Sequence, residues 1–301
     1  MYKYHGFGLN IASEIEFPEL LPADFATADI TIVWGKTPEK LENSPVVNRP
    51  FSSSNKEEYL LDIKNICRYY ASYGNNIIAE PAAGIDEHSV RLFLLGTVMA
   101  AALYQRGFIP FHASAIVKEG RLVLFAGNSG AGKSTLLAAL ASRGYTVFTD
   151  DICVLQYNSV TNDQVLGTAS YPMIKLWEDA IDQLGNDQFN KDFKVRPLLP
   201  KYGQFFYDSF NLQSLPVDKV FILSPQQRAN EIIVKKLEAI PAFKQMEKQT
   251  YKYQFISNTQ LRSLHFVLLS QLTSQATVFE VTRPVSGTEV ESLLDAVEKI
   301  F

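Results

Sequence analysis

The chain has 301 residues, of which 47% are hydrophobic and 20% are charged, and its formal net charge at pH 7 is −4. These values predict an ordered globular protein of one large or two modest domains, and they exclude a disordered chain. The acidic balance, without a basic stripe interleaved with aromatic residues, argues against nucleic-acid binding. The longest apolar stretch, residues 92–104, is too short to cross a bilayer, so we expect no membrane partner.

The first part of the chain is predicted to be rich in β-strands. Alternating or apolar runs at residues 30–34, 59–63 and 67–73 are separated by polar, turn-forming clusters. A long helix is predicted over residues 87–105.

A Pro-Ala-Ala-Gly segment just before that helix marks a candidate domain boundary. We therefore expect a β-rich region over residues 1–85 and a second domain over residues 86–301. The helix could equally pack on the second domain and leave one continuous unit.

Cysteine use predicts the redox state of the chain. Cys67 and Cys153 both lie in strand-like apolar surroundings, and the sequence contains no C-x-x-C pattern. The first residues lack the charged-then-apolar pattern of a signal peptide. We expect two reduced, buried thiols in a cytoplasmic protein.

A β-hairpin is predicted upstream of the main motif. The strand-like runs 111–118 and 121–127 flank Glu119-Gly120, a plausible two-residue turn. In that register His112 falls opposite Gly127, the first residue of the loop described next. A histidine there could orient a carboxylate, donate to a phosphoryl oxygen or transfer a proton. The alternative is a histidine that only fills a sheet edge.

The most specific motif is a phosphate-binding loop. Residues 127–134 read Gly-Asn-Ser-Gly-Ala-Gly-Lys-Ser and match G-x-x-x-x-G-K-[ST] in full. In such a loop the backbone amides surround a polyphosphate, the lysine reaches the β and γ oxygens, and the serine hydroxyl holds Mg²⁺. The motif predicts a bound nucleoside triphosphate with Mg²⁺. The predicted nucleotide-binding residues are Gly127, Asn128, Ser129, Gly130, Ala131, Gly132, Lys133, Ser134 and Thr135.

The flanks of the loop agree with the motif. The apolar run 122–126 suits a strand that is buried on both faces, and residues 135–143 are strong helix formers that end at Gly144. The phosphates would then meet a helix N-terminus with free amide groups and a positive dipole end.

Two adjacent carboxylates, Asp150 and Asp151, end the next apolar segment, residues 145–149. The spacing from Lys133 leaves room for one helix and one return strand. A right-handed crossover predicts that this strand is parallel to the loop strand and adjacent to it, so both aspartates reach the loop. Neighbouring strand residues point to opposite sides, so one carboxylate could serve Mg²⁺ while the other faces an acceptor. The alternative is a solvated strand end.

Further cations follow the aspartates and could neutralise charge on a transferred phosphoryl group. Lys175 and Arg196 are the two that we expect to contact a phosphate or the acceptor. Lys175 stands between two apolar residues, and Arg196 precedes a proline, which favours an extended lead-in. The cations of this segment are Lys175, Lys191, Lys194, Arg196 and Lys201.

The rest of the chain is predicted to alternate strands and helices. Strands are expected at residues 153–156, 219–223 and 277–281, and helices at residues 177–184 and 259–272. A turn is expected over residues 158–163, and a capping box of Ser286 with Glu289 should open the last helix.

The segment from Phe111 to Asp151 resembles the catalytic core of the HPr kinase/phosphorylase family. The chain is most similar to the HPr-kinase-related proteins, some of which phosphorylate a serine of a lasso-peptide precursor. The resemblance implies an α/β fold with a P-loop core of the HPr kinase/PEP carboxykinase type and a smaller β-rich N-terminal region. It also implies that His112 lies at the active site, that Asp150 is the base and that Asp151 helps to hold Mg²⁺ with Ser134.

What the resemblance implies is an ATP- and Mg²⁺-dependent serine kinase with a peptide or small-protein acceptor, a lasso-peptide precursor before others. Residues 1–85 could bind that acceptor, and a homo-oligomer is compatible with the family. The alternatives are a small-molecule kinase, for example of free serine, and a nucleotide-gated binding protein without transfer activity. The chain departs from bifunctional members at Lys175, which stands about where they carry an acidic residue. This departure argues against phosphorylase activity.

Overall fold

The computed structural model describes residues 1–158, 163–185, 189–255, 259–285 and 290–301. These residues form a mixed α/β protein with two large sheets, so the predicted α/β class is confirmed. Most of the turn predicted over residues 158–163 and the whole capping box of Ser286 and Glu289 lie outside the described residues.

The first sheet is built from residues 2–81, all of which the structure describes, and it confirms the predicted β-rich region. Its strand order is β3-β1-β2-β4-β9-β8-β7-β6-β5, and the pairs β2–β4 and β4–β9 are parallel while the others are antiparallel. Its strands are β1 (Tyr2–Gly6), β2 (Leu9–Ser13), β3 (Leu21–Pro22), β4 (Ile30–Trp34), β5 (Val47–Arg49), β6 (Ser52–Ser54), β7 (Glu58–Ile63), β8 (Cys67–Ser72) and β9 (Asn76–Pro81).

The predicted long helix follows, as α1 (Glu87–Phe93), a π-helical turn (Leu94–Val98) and α2 (Met99–Gln105). The side chain of Asp86 caps it by accepting a hydrogen bond from the amide of Ser89 at 2.8 Å. The helix packs on β8 of the first sheet and on the second sheet, so one hydrophobic core extends across both. Residue 85 lies in the turn before α1, and a domain division there stays a prediction.

The second sheet has the strand order β10-β14-β15-β18-β12-β11-β13, with β20 paired to β18 and β19. Strands β16 and β17 form a separate two-stranded antiparallel sheet. The elements of this part are β10 (Ile109–Phe111), β11 (Ala113–Lys118), β12 (Arg121–Gly127), α3 (Lys133–Ser142), β13 (Thr146–Thr149), β14 (Cys153–Tyr157), β15 (Val165–Ala169), β16 (Met173–Trp177), α4 (Glu178–Leu184), β17 (Lys201–Phe205), β18 (Leu215–Gln226), β19 (Ile233–Lys236), α5 (Ala239–Lys248), α6 (Thr259–Gln275), β20 (Thr277–Pro284) and α7 (Val290–Glu298).

The predicted neighbour of the loop strand was wrong. We expected β13 to pair with β12, but β11 lies between them and is antiparallel to both. The hairpin partner occupies that side of β12, and the parallel strand β18 occupies the other side. Strands β12 and β13 are nevertheless parallel to each other, as predicted. Their carboxyl ends therefore still meet at the same edge of the sheet.

The two thiols are free and buried, as predicted. Burial raises the pKa of Cys67 to about 11 and that of Cys153 to about 12. Both groups are therefore protonated and unreactive near neutral pH. No helix in the described residues is long and apolar enough to cross a membrane.

One carboxylate of the first sheet is fully buried and stabilises two loops. Burial alone would raise the pKa of Glu58, but four hydrogen bonds lower it to about 2. The donors are the side chain of Asn55, the amides of Glu42 and Asn43, and the hydroxyl of Tyr70, at 2.8 to 3.1 Å. The ionised form is therefore favoured by the folded state.

Replacing Glu58 with Gln should lower the free energy of unfolding by about 2 to 3 kcal/mol at pH 7. The folded pKa is below the ordinary 4.5, so this stabilisation is present above pH 4.5 and is lost as the pH falls toward 2. Denaturant unfolding across this pH range measures the difference. The control is Glu57→Gln, which removes the same charge from an exposed neighbour. Equal losses for both variants would contradict the prediction.

Candidate active site

The predicted hairpin forms in the predicted register, with Ala113 opposite Ala126. Glu119 and Gly120 both have positive φ, 51° and 73°, as a type I′ turn requires. The structure thereby places His112 beside the loop, with its Nε2 3.0 Å from Nζ of Lys133.

The glycines of the loop allow a conformation that side chains would block. Gly127 has φ 146°, and a Cβ there would lie 2.6 Å from the carbonyl oxygen of Leu223. Gly132 has φ 96° and precedes α3, whose first-turn amides have no partner within the helix. At the other end of α3, the amides of Gly144 and Tyr145 donate to Ala141 and Leu140, which ends the helix as a Schellman motif.

A cavity of about 990 Å³ opens at the carboxyl edge of the sheet. The phosphate-binding loop and the start of α3 form one wall, and the segment from β16 into α4 forms another. His112 and both aspartates lie between these walls. The predicted nucleotide-binding residues that line the cavity are Ser129, Gly130, Gly132, Lys133, Ser134 and Thr135.

Lys133 is folded back onto the loop. Its Nζ donates to the carbonyl oxygens of Gly127 at 2.9 Å and Asn128 at 3.3 Å. Burial lowers the pKa of Lys133, while the charges of Asp150 and Asp151 oppose that shift. The ammonium group is therefore held at the centre of the cavity by weak acceptors that an anion could replace.

Asp150 is almost fully buried and is joined to the loop. Its carboxylate accepts hydrogen bonds from the Ser134 hydroxyl at 2.9 and 3.0 Å and from the Ser114 hydroxyl at 2.6 Å. The amide of Lys175 donates to it as well, at 3.0 Å. Sequence reasoning gave Ser114 no role. Ser114 lies two residues after His112 in the predicted strand 111–118. Residues at that spacing share one face of a strand, and this pattern could have identified Ser114.

Asp151 faces a different set of partners. It follows the end of β13 in a left-handed conformation, with φ 70°, and its side chain is 27% exposed. Its Oδ2 lies 2.9 Å from Nζ of Lys175, and its Oδ1 lies 3.4 Å from Nδ1 of His112. The two aspartates therefore have different partners, but both follow β13 rather than lie in it, so strand alternation is not the cause.

The contacts of His112 identify its tautomer. Its Nδ1 lies 2.8 Å from the backbone carbonyl of Asp151, which can only accept, so Nδ1 carries the proton. Its Nε2 then accepts from the Lys133 ammonium. Burial lowers the pKa of His112, the charge of Asp151 opposes this shift, and Lys133 adds to it. The imidazole is therefore neutral and links Asp151 to the loop lysine.

Lys175 and Asp151 form an ion pair in which the lysine is buried and the carboxylate is partly exposed. Burial alone would raise the pKa of Asp151, but the charge of Lys175 holds it well below its usual range. Burial would likewise lower the pKa of Lys175, but Asp151 raises it well above its ordinary value. Asp151 is therefore ionised over the whole physiological range.

Replacing Lys175 with Met should raise the pKa of Asp151. The neutral methionine can no longer offset the effect of burial on the carboxylate. NMR titration of the Asp151 carboxyl carbon in protein labelled with ¹³C at aspartate measures the shift. The matched control is Lys194→Met, which removes a lysine from the same segment and should leave the titration of Asp151 unchanged. An unchanged pKa of Asp151 in the Lys175 variant would contradict this role for Lys175.

The second selected cation, Arg196, does not line the cavity in the described residues, and Lys201 and Arg283 line it instead. Lys201 begins β17 opposite Trp177, and burial lowers its pKa. Nη2 of Arg283 donates to the carbonyl oxygen of Ala131 at 2.9 Å. Arg283 was missed. Arg283 follows the predicted strand 277–281 by two residues. Functional residues of parallel sheets often lie at the carboxyl ends of the strands, and this position could have identified Arg283.

The oxygen atoms around the loop fit a hard cation. The Ser134 hydroxyl and the Asp150 carboxylate are within 3.0 Å of each other at the helix N-terminus. Mg²⁺ is usually held by one or two carboxylate or hydroxyl oxygens together with phosphate oxygens and waters. The described residues contain no cluster of three or more His, Cys, Asp or Glu side chains that would hold a metal without such help.

Comparisons with known proteins show similarity among solved structures. No protein-family model matches the chain, and no curated protein matches it. Among solved structures, the HPr(Ser) kinase/phosphatase from Coxiella burnetii is similar, with 15% sequence identity and a TM-score of 0.33. The match covers 64% of this chain and 96% of that protein's chain. A similarity this distant assigns no function, and the α/β class rests on the strands and helices described above.

Proposed function

We propose that this protein is an ATP- and Mg²⁺-dependent kinase that transfers the γ-phosphoryl group to a serine hydroxyl. The observation that carries the proposal is the position of two carboxylates beside one phosphate-binding loop. Asp150 contacts Ser134 of the loop, whereas Asp151 contacts His112 and Lys175. Transfer of a phosphoryl group needs one set of groups for the nucleotide and another for the acceptor, and the different partners of the two aspartates support this proposal.

On the nucleotide side, the amides of the loop and of α3 would bind the phosphates, and Lys133 would contact the γ-phosphoryl oxygens. Ser134 and Asp150 would hold Mg²⁺, which would neutralise phosphate charge. Lys201 and Arg283 are further cations at the cavity wall. They are positioned to offset charge that develops on the transferred group.

On the acceptor side, we propose Asp151 as the group that accepts the serine proton. This reverses the assignment implied by the family resemblance, in which Asp150 is the base and Asp151 holds the metal. The reason is geometric, because Asp150 is nearly inaccessible and already contacts Ser134, whereas Asp151 is partly exposed. Kinases gain most of their rate from positioning and charge stabilisation, so a carboxylate of low basicity is sufficient.

The proposed acceptor is a serine of a peptide or small protein, with a lasso-peptide precursor as the first candidate. This part of the proposal is supported by the resemblance of residues 111–151 to the HPr-kinase-related proteins. The β-rich region 1–85 is the proposed acceptor-binding surface. Activity in the cytoplasm and assembly into a homo-oligomer complete the proposal.

The test is incubation with γ-labelled ATP, Mg²⁺ and a panel of serine-ended peptides, free serine and HPr, followed by mass spectrometry. Label on a peptide or protein serine supports the proposal, and label on free serine alone indicates the small-molecule kinase. ATP binding without label on any acceptor would overturn the kinase and favour the nucleotide-gated binding protein. The control is the Asp151→Asn variant, which should bind ATP but transfer the label far more slowly than the wild type.

A further inference from the structure

The turn between β1 and β2 contains a buried aromatic residue, although hairpin tips are usually exposed and polar. It consists of Phe7 and Gly8, with φ 58° and 75°, between the paired residues Gly6 and Leu9. Phe7 is only 1% exposed. A left-handed conformation is uncommon for a bulky residue and persists where the surroundings hold it in place.

The turn is held by the segment between β15 and β16. The amide of Phe7 donates to the carbonyl oxygen of Ser170 at 2.7 Å. The Phe7 ring packs edge-on against Tyr171, with ring centroids 5.6 Å apart. A Cβ at Gly8 would lie 2.8 Å from Cγ2 of Thr168, so the close approach of the turn to the Thr168 side chain favours a glycine here. The first sheet therefore contacts this segment through backbone and ring together.

Ser170 connects the turn to the two aspartates. Its amide donates to Oγ1 of Thr149 at 3.1 Å, and the two hydroxyls are 2.8 Å apart. Oγ1 of Thr149 in turn donates to the carbonyl oxygen of Ile152 at 2.9 Å. These hydrogen bonds fix the backbone of residues 149–152, the segment that contains Asp150 and Asp151. A shift of Ser170 would therefore move the segment that carries Asp151, whereas the Asp150 carboxylate is also held in place by Ser114 and Ser134.

Tyr171 connects the turn to Lys175. Nζ of Lys175 lies 5.3 Å from the centroid of the Tyr171 ring, within the range of a cation–π contact. Tyr171 is fully buried, so the ring cannot move unless Phe7 moves with it. The Lys175 ammonium is thus held between the Tyr171 ring on one side and the Asp151 carboxylate on the other.

We propose that Phe7 and Tyr171 are positioning residues for the acceptor half of the active site. Resting on the proposed kinase function, the inference is that the first sheet does more than present an acceptor surface. Its β1–β2 turn sets the place of Lys175 and Asp151 through Tyr171 and Ser170. The nucleotide half of the cavity, formed by the loop and α3, has no such contact with the turn in the described residues.

Replacing Phe7 with Leu should lower kcat for phosphoryl transfer by about 10- to 100-fold, as expected when a reacting group moves by about 1 Å. The KM for ATP should change little. The matched control is Phe17→Leu, which removes an equally buried ring from the same region, where it packs against Tyr4 rather than Tyr171. Comparable losses of kcat in both variants, or a parallel rise in the KM for ATP, would show a merely structural role and overturn the proposal.

A second pair of variants tests Tyr171 directly. Tyr171→Phe keeps the ring face toward Lys175 and should keep most of kcat. Tyr171→Leu should lower kcat to the same extent as Phe7→Leu. If Tyr171→Leu is as active as Tyr171→Phe, the proposal is wrong.

Amide hydrogen exchange separates this inference from the proposed function. Exchange over residues 168–176 should rise in Phe7→Leu and stay near the wild-type level in Phe17→Leu. Wild-type protein that labels no acceptor would refute the kinase, and this difference in exchange would still support the contact between the turn and the site. Equal exchange in both variants would refute the positioning role even in an active kinase.

Discussion

Replacing Asp151 with Asn should lower kcat for phosphoryl transfer by about 10²- to 10⁴-fold and leave ATP binding nearly unchanged. The variant keeps the size of the side chain but removes the charge that pairs with Lys175 at 2.9 Å. It also removes the group proposed to accept the serine proton. The measurements are steady-state transfer to the labelled acceptor and calorimetric titration with ATP in the presence of Mg²⁺.

The matched control is Asp150→Asn, because the two aspartates are adjacent and differ in their partners. Asp150 contacts Ser134, so its variant should require more Mg²⁺ for half-maximal activity. The Asp151 variant should show the wild-type Mg²⁺ requirement with a low plateau. The opposite pattern, a higher Mg²⁺ requirement for Asp151→Asn, would restore the assignment that the family resemblance implies.

Replacing Lys133 with Met should weaken ATP binding by about 10- to 100-fold and lower kcat by about 10²- to 10³-fold. Met fills a similar volume, but it cannot donate to phosphate oxygens. In the structure Nζ of Lys133 donates to the carbonyls of Gly127 and Asn128 and to Nε2 of His112, so the group stands where the loop surrounds its ligand. Titration calorimetry and single-turnover transfer measure the two effects separately.

The control for this variant is Lys118→Met, which removes a lysine from the turn end of the β11–β12 hairpin. The Lys118 ammonium lies near Glu119 there. The ATP affinity and kcat of the control variant should equal those of the wild type. Full ATP affinity in Lys133→Met would mean that the loop does not hold the triphosphate, and the proposed function would fail with it.

Several features of the site could be predicted because they are encoded in contiguous residues. The loop, the helix stop at Gly144 and the register that brings His112 to the loop depend on local backbone geometry. Lys175 was also found, because a lysine between apolar residues is costly to bury without an ionic partner. The structure supplies that partner as Asp151.

Other features could not be predicted because they depend on which strands become neighbours. The position of β11 between β12 and β13 follows from the way the hairpin inserts into the sheet, and the usual crossover rule does not include this case. Arg196 was selected from its local sequence, whereas the cavity takes Lys201 and Arg283 from strands that enter it from two sides.

The sequence by itself determined the α/β class, the phosphate-binding loop and the pair of aspartates at its edge, since each depends on residue types at short spacing. Only the tertiary structure decided which aspartate contacts Ser134 and which contacts Lys175, because those contacts join separate elements. It also decided that Phe7 lies behind the site, more than 160 residues away in sequence from Ser170 and Tyr171. Packing between distant segments is a property of the whole folded chain, so no local pattern of residues encodes it.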